Sequence, residues 1–185
     1  MAIFAKISAT GAYLPEKILT NFDLEKLVDT TDEWIRERTG IRTRRIASSS
    51  ESSSTLGIEA ANRALAAAGV NGEEIDLVLV GTCTPDGMFP SVASHIQNAI
   101  GAVNAGAFDV NAACTGYLSA LSTATQFIEN GSIKKALVVG AETLSRIVDW
   151  SDRTTCVLFG DGAGATLLEA SVDDDLGSIR SFILR

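Results

Sequence analysis

Apolar and polar positions along the chain separate into strand-like runs and segments with helical spacing. Residues 3–11 alternate enough to form a strand, closed by Gly11 and Pro15. Residues 75–81 and 136–140 are continuous apolar runs, the pattern of parallel strands covered on both faces. Residues 107–110 form a short extended run, 163–169 read as a further strand, and 178–184 as the last one. Between these lie the helices. Asn21 is predicted to cap a short helix over 22–28, and Thr31, with Trp34 three residues later, opens another that Gly40 ends. Residues 56–68, rich in alanine, form a helix stopped by Gly69, with small residues free to pack closely on a sheet. Ser91 caps a helix that runs to Ile100. The order of strands and helices predicts an α/β layered plan.

One junction organises the rest. The run 107–110 ends in small residues, passes Cys114 and enters a helical pattern lasting to about Asn130. That pattern carries Tyr117, Leu118, Leu121, Ala124, Phe127 and Ile128 and is apolar on nearly every face, which predicts a buried helix. Cys114 is thereby expected in the helix's first turn. Unpaired N–H groups and the positive end of the dipole there favour a thiolate and could hold a thioester's oxyanion. Ala112, Ala113 and Gly116 leave room for a substrate. Taken alone, a free cysteine is more often inert core than nucleophile.

Composition narrows the class. At 185 residues and 46% hydrophobic, the chain can bury a substantial core. It has no apolar run of membrane-span length and no signal-peptide order at its start, so a cytoplasmic protein without a membrane partner is expected. Cys83, Cys114 and Cys156 are odd in number, far apart and outside any C-x-x-C pair. Free thiols in a reducing compartment fit better than a disulfide scaffold or a zinc site. A net charge of −8 weighs against nucleic acid.

Against that acidity, Arg36, Arg38, Arg42, Arg44 and Arg45 crowd into one stretch beside Trp34. Solvated surface charge is the ordinary reading of such a cluster. An anion with a planar ring, such as coenzyme A, or an acidic carrier protein also fits. His95, the only histidine, lies inside a helix and reads as a packing or surface residue rather than a base. The glycines at 160, 162 and 164 precede a strand rather than a helix, so they are not a nucleotide loop. They are expected to pack against the cysteine turn.

The motifs occur together and in order: residues 31–41 (Thr-Asp-Glu-Trp-Ile-Arg-Glu-Arg-Thr-Gly-Ile), Phe89-Pro90-Ser91, residues 108–116, Asp152-Arg153, and residues 159–165. This set resembles β-ketoacyl-acyl carrier protein synthase III of the thiolase superfamily, across essentially all 185 residues but only the first half of such an enzyme. The resemblance implies one half of a thiolase-like layered α/β fold, a mixed five-stranded sheet flanked by helices. Residues 1–172 would be its core, and 173–185 the start of a connection to a second half. It further implies that a short acyl-coenzyme A acylates Cys114. Malonyl-acyl carrier protein then loses carbon dioxide, and its carbanion attacks the acyl-cysteine to give a 3-oxoacyl product, initiating fatty acid synthesis. Trp34 matches the residue that stacks on the adenine and Arg153 the one on its other side, while Arg38 and Thr39 belong to the stretch lining the cofactor's path. Phe89 matches a residue reaching the neighbouring subunit's acyl pocket, and Leu144 and Phe159 match that pocket's lining. Coenzyme A enters as a thioester substrate; no metal or resident cofactor is implied. A homodimer paired through the strand ending at Val110 is implied as well.

The resemblance also implies a histidine and an asparagine, from the second half, that stabilise the enolate left by decarboxylation. These 185 residues contain neither, and His95 does not occupy the histidine's place. The chain alone is therefore expected to carry an activated thiol and not to condense. Its apolar central helix is expected to need a partner, either a chain carrying the second half or another copy. The alternative class is a non-catalytic subunit keeping the fold for dimerisation or carrier-protein binding. Related enzymes on this fold are the hydroxymethylglutaryl-coenzyme A and polyketide synthases; residues 34–41 point to the fatty-acid branch.

Overall fold

A computed structural model describes residues 2–173 and 177–183. Strands β1 (Phe4–Tyr13), β4 (Leu77–Gly81), β5 (Gly106–Val110), β6 (Lys135–Thr143) and β7 (Asp161–Ser171) form one sheet in the order β1-β7-β6-β4-β5. β4 runs parallel to β5 and β6, whereas β7 is antiparallel to β6 and β1, so the sheet is mixed, as expected. β2 (Lys17–Thr20) and β3 (Thr43–Ile46) make a separate antiparallel pair.

The apolar runs alternate between two cores. Val78, Val80, Leu137 and Val139 face one side, where α3 (Ser53–Ala68) and α4 (Val92–Ala99) cover them. Leu77, Leu79, Ala136 and Val138 face the other, beneath α5 (Gly116–Glu129). Ala60, Ala61 and Ala64 are fully buried, so the alanine-rich helix packs closely as predicted. A third, smaller core of Leu24, Ile35, Cys156 and Val157 joins α1 (Asn21–Leu24) and α2 (Asp32–Thr39) to the loop before β7.

Local signals fix the helix ends. The Thr31 side chain accepts from Trp34 N–H at 3.1 Å at the start of α2, and Gly40 closes it at φ 74°, a left-handed conformation that glycine adopts without strain. Ser91 caps α4 as expected, with a second cap hidden in β5: the Asp109 carboxylate accepts from Val92 and Ala93 N–H at 2.9 and 2.8 Å.

Several expectations need correction. The first short helix is capped by Thr20, not Asn21, and ends at Leu24; Asn21 is buried and its side chain is committed to longer-range bonds. The alanine-rich helix begins at Ser53, because Ser52 caps it and the Asp86 carboxylate accepts from Ser54 N–H at 2.9 Å. The proposed last strand reduces, over residues 178–183, to one isolated bridge between Ser178 and Lys6; Leu184 lies outside the described residues. The central helix is not buried all round: Leu118 and Phe127 are 49% and 38% exposed.

Candidate active site

The carboxyl ends of β4, β5 and β6 and the start of β7 meet at one end of the sheet, where α/β folds place ligands. Two glycines bring the elements together there. A Cβ on Gly81 would lie 2.5 Å from both the Gly116 carbonyl carbon and the Tyr117 nitrogen, so only glycine lets the start of α5 rest on β4. The chain reaches that position through Ala113 at φ 45°, a left-handed conformation costing an L-residue roughly 1 kcal/mol.

Cys114 follows immediately and is exposed. It sits in a 3-10 turn, Ala113–Thr115, ahead of α5 rather than in the helix's own first turn. The reason is the close seat of Gly116 on Gly81, which fixes where the α-helix can begin. The turn is tied by the Thr115 hydroxyl and N–H, donating to the Ala112 carbonyl at 2.8 and 3.1 Å.

Cys114 opens onto a mostly apolar cleft of about 480 Å³, lined among others by Leu14, Tyr117, Leu144, Phe159 and Gly162. The predicted pair Leu144 and Phe159 thus joins the cysteine in one cleft. The glycines do not form a turn packed on the cysteine loop: Gly162 and Gly164 line the cleft from within β7, which begins at Asp161, and Gly160 sits against Arg44 and Arg45. Tyr117 holds one wall, its hydroxyl 2.7 Å from Thr166 Oγ1. Leu14 and Glu142 were not singled out from the sequence, and Cys83 was read there only as a free thiol. Glu142 accepts from Cys83 N–H at 2.8 Å and from the Thr84 hydroxyl. Burial, then the Glu142 carboxylate, push the Cys83 thiol above its ordinary pKa. The only signal for Glu142 was an acidic residue ending an apolar strand.

A second cluster forms on α2. The guanidinium carbons of Arg153 and Arg38 lie 4.7 and 5.4 Å from the centroid of the Trp34 ring, within cation–π range. Thr39 is engaged locally: its hydroxyl donates to the Ile35 carbonyl at 2.7 Å and accepts from Ile41 N–H at 3.0 Å. Phe89 projects from the loop before α4, 85% exposed, and does not line the cleft of its own chain. The five clustered arginines divide: Arg38 meets Trp34, Arg36 pairs with Asp32 at 3.2 Å, Arg42 is exposed, Arg45 donates to the Pro15 carbonyl at 2.9 Å, and Arg44 is buried. His95 is half-buried within α4.

The two clusters share residues 144–159. Leu144 and Phe159 at its ends line the cleft, and Arg153 between them meets Trp34. The Asp161 carboxylate fixes one end, accepting from Ser145 N–H at 2.8 Å, the Ser145 hydroxyl at 2.6 Å and Ala47 N–H at 2.6 Å. Among the described residues, no group of three or more His, Cys, Asp or Glu is placed to hold a metal, and no helix is long and apolar enough to cross a membrane.

An exposed cysteine at a strand-to-helix turn, on a mixed sheet between helical layers, is the layout of a thiolase-like fold. A crystal structure of 3-oxoacyl-[acyl-carrier-protein] synthase III from Aquifex aeolicus VF5 superposes with a TM-score of 0.89 at 52% identity, covering 91% of this chain and 55% of that one. The priming β-ketosynthase of the R1128 polyketide pathway gives 0.88 at 42%, covering 91% of this chain and 50% of that one. The sequence profile of the family 3-oxoacyl-[acyl-carrier-protein (ACP)] synthase III matches residues 108–184. The β-ketoacyl-[acyl-carrier-protein] synthase III of Xylella fastidiosa (strain Temecula1) is 60% identical over 181 residues, which are 98% of this chain and 55% of that protein. Over nearly its whole length the chain is similar to β-ketoacyl-[acyl-carrier-protein] synthases III, and it spans about half the length of the curated relatives it matches.

Proposed function

We propose that the chain carries the acyl-accepting site of a condensing acyltransferase that initiates fatty acid synthesis in the cytoplasm. The observation that carries this reading is the exposed Cys114 on an apolar cleft shared with Leu144 and Phe159. The Cys114 thiolate attacks the carbonyl of a short acyl-coenzyme A. A tetrahedral oxyanion forms, the bond to the coenzyme's sulfur breaks, and the coenzyme leaves as a thiol with a proton from solvent. The acyl chain lies along the apolar cleft walls. Trp34, Arg38 and Arg153 take the adenine, whose π-face suits a ring flanked by guanidinium groups.

In the second half-reaction, malonyl-acyl carrier protein loses carbon dioxide. The resulting carbanion attacks the acyl carbonyl, and the Cys114 sulfur is released. The donors that steady the enolate are assigned to the part of the family's length that these residues do not span. The exposed flank of α5, with Leu118 and Phe127, is the surface such a part or a second copy would cover. β5, at the sheet's edge, is free to pair in a homodimer, with Phe89 reaching the neighbour's cleft.

Intact mass after exposure to acetyl-coenzyme A tests the reading. An acetyl adduct mapped to Cys114, absent from C114A, is expected. No adduct, or one that persists in C114A, would overturn it.

A further inference from the structure

Arg44, on β3, is 4% exposed, a rare setting for a charged group unless it is fully partnered. Its Nε and Nη2 donate to the Val157 carbonyl at 3.2 and 2.5 Å, and its Nη1 donates to Asn21 Oδ1 at 2.6 Å. Asn21 then donates through Nδ2 to Asp32 Oδ1 at 2.8 Å and to the Ile41 carbonyl at 2.9 Å. Asp32 opens α2 and Ile41 follows its closing glycine, so one amide holds both ends of the helix that bears Trp34.

At the other end of the chain of bonds, Val157 belongs to the turn that carries Arg153. That turn is stiffened by Asp152: its carbonyl accepts from Thr155 and Cys156 N–H at 3.2 and 3.0 Å, and its carboxylate accepts from Thr154 and Thr155. Arg44 therefore joins the two pieces of chain that hold Trp34 and Arg153 4.7 Å apart. Its seat is tight: a Cβ on Gly160 would lie 3.0 Å from Arg44 Cβ and 3.1 Å from the Arg45 carbonyl oxygen. Its planar fork reaches a carbonyl and an amide at once, which a lysine's point charge cannot reproduce.

The geometry points to Arg44 as a positioning residue for the adenine end of the acyl-coenzyme A, acting through the Trp34–Arg153 pair rather than by touching the ligand. This rests on the acyl-coenzyme A reading above. Its role is to fix where the Trp34 ring and the Arg153 guanidinium stand relative to one another, so it should affect thioesters that carry the nucleotide and spare those that lack it.

The test compares acylation of Cys114 by acetyl-coenzyme A and by S-acetyl-pantetheine, which has the same thioester without the nucleotide. The quantity read is the ratio of the two acylation efficiencies. R44K is expected to lower that ratio about tenfold, the size of one lost charged hydrogen bond. A general loosening of the fold lowers both efficiencies and leaves the ratio alone, so an unchanged ratio overturns the inference. G160A, which crowds Arg44 while keeping its charge, is expected to lower the ratio by a smaller factor, and it decides the matter if R44K does not fold. Wild-type protein that is not acylated, or shows no preference for the nucleotide-bearing thioester, would overturn the acyl-coenzyme A reading itself.

Discussion

The two faces of the main sheet are covered unequally. On one, α3 and α4 bury Val78, Val80, Leu137, Val139 and Leu167 beneath Leu56, Ile96 and a row of alanines. On the other, α5 covers Leu77, Leu79, Ala136 and Val138 with its inner flank, while Leu118 and Phe127 remain open on its outer one. The closed face is packing alone. The open face begins at Cys114, because α5 is the helix whose start the cysteine turn sets. Opposite sides of the same strands thus differ in how completely they are covered.

Substitutions on the two faces should differ accordingly. I96A removes a fully buried side chain that presses on α3, and should cost about 3 kcal/mol in denaturant unfolding. A loss below about 1 kcal/mol would mean the closed face is not the main core. G81A should cost about 1–3 kcal/mol by overpacking, since its Cβ would strike the backbone at the start of α5. Because it displaces the cysteine turn, acetylation of Cys114 should fall more than stability does, which acetylation rates and unfolding curves on one sample would show. L118S should change stability by no more than about 0.5 kcal/mol. It should instead weaken association, read as a larger monomer fraction in sedimentation; an unchanged distribution would remove the open flank as an interface.

Much of this division was legible in the sequence. The apolar runs at 75–81 and 136–140 announced strands buried on both faces, and β4 and β6 are those strands. Thr31 and Gly40 marked the helix of Trp34 because caps act within one turn. The hairpin of β2 and β3 was hidden: two four-residue strands stand 22 residues apart with two helices between them, and arginines occupy the centre of the second. Local pattern reports charge but not where a guanidinium finds its acceptors. Arg44 therefore read as surface, although its partners Asn21 and Val157 are 23 and 113 residues away. Asp109, Glu142 and Asp161 were missed for the same reason, since each holds backbone N–H groups distant in sequence. The cleft was legible in part: Ala113, Cys114, Phe159 and Gly162 lie in the marked motifs, whereas Gly81, Cys83 and Glu142 come from strand ends that no motif marked and Leu14 entered through the pairing of β1 with β7.

The central claim is that one thiol of three stands ready on the open face. Cys83 is held above its ordinary pKa by burial and Glu142, and Cys156 by burial and then Asp152, so both stay protonated at neutral pH and gain reactivity only as the pH rises. Timed iodoacetamide labelling with site-resolved mass spectrometry at neutral pH should therefore find Cys114 alkylated well before the other two. The gap to Cys83 should narrow under alkaline conditions. Labelling of Cys83 or Cys156 at neutral pH as fast as Cys114 would contradict the account.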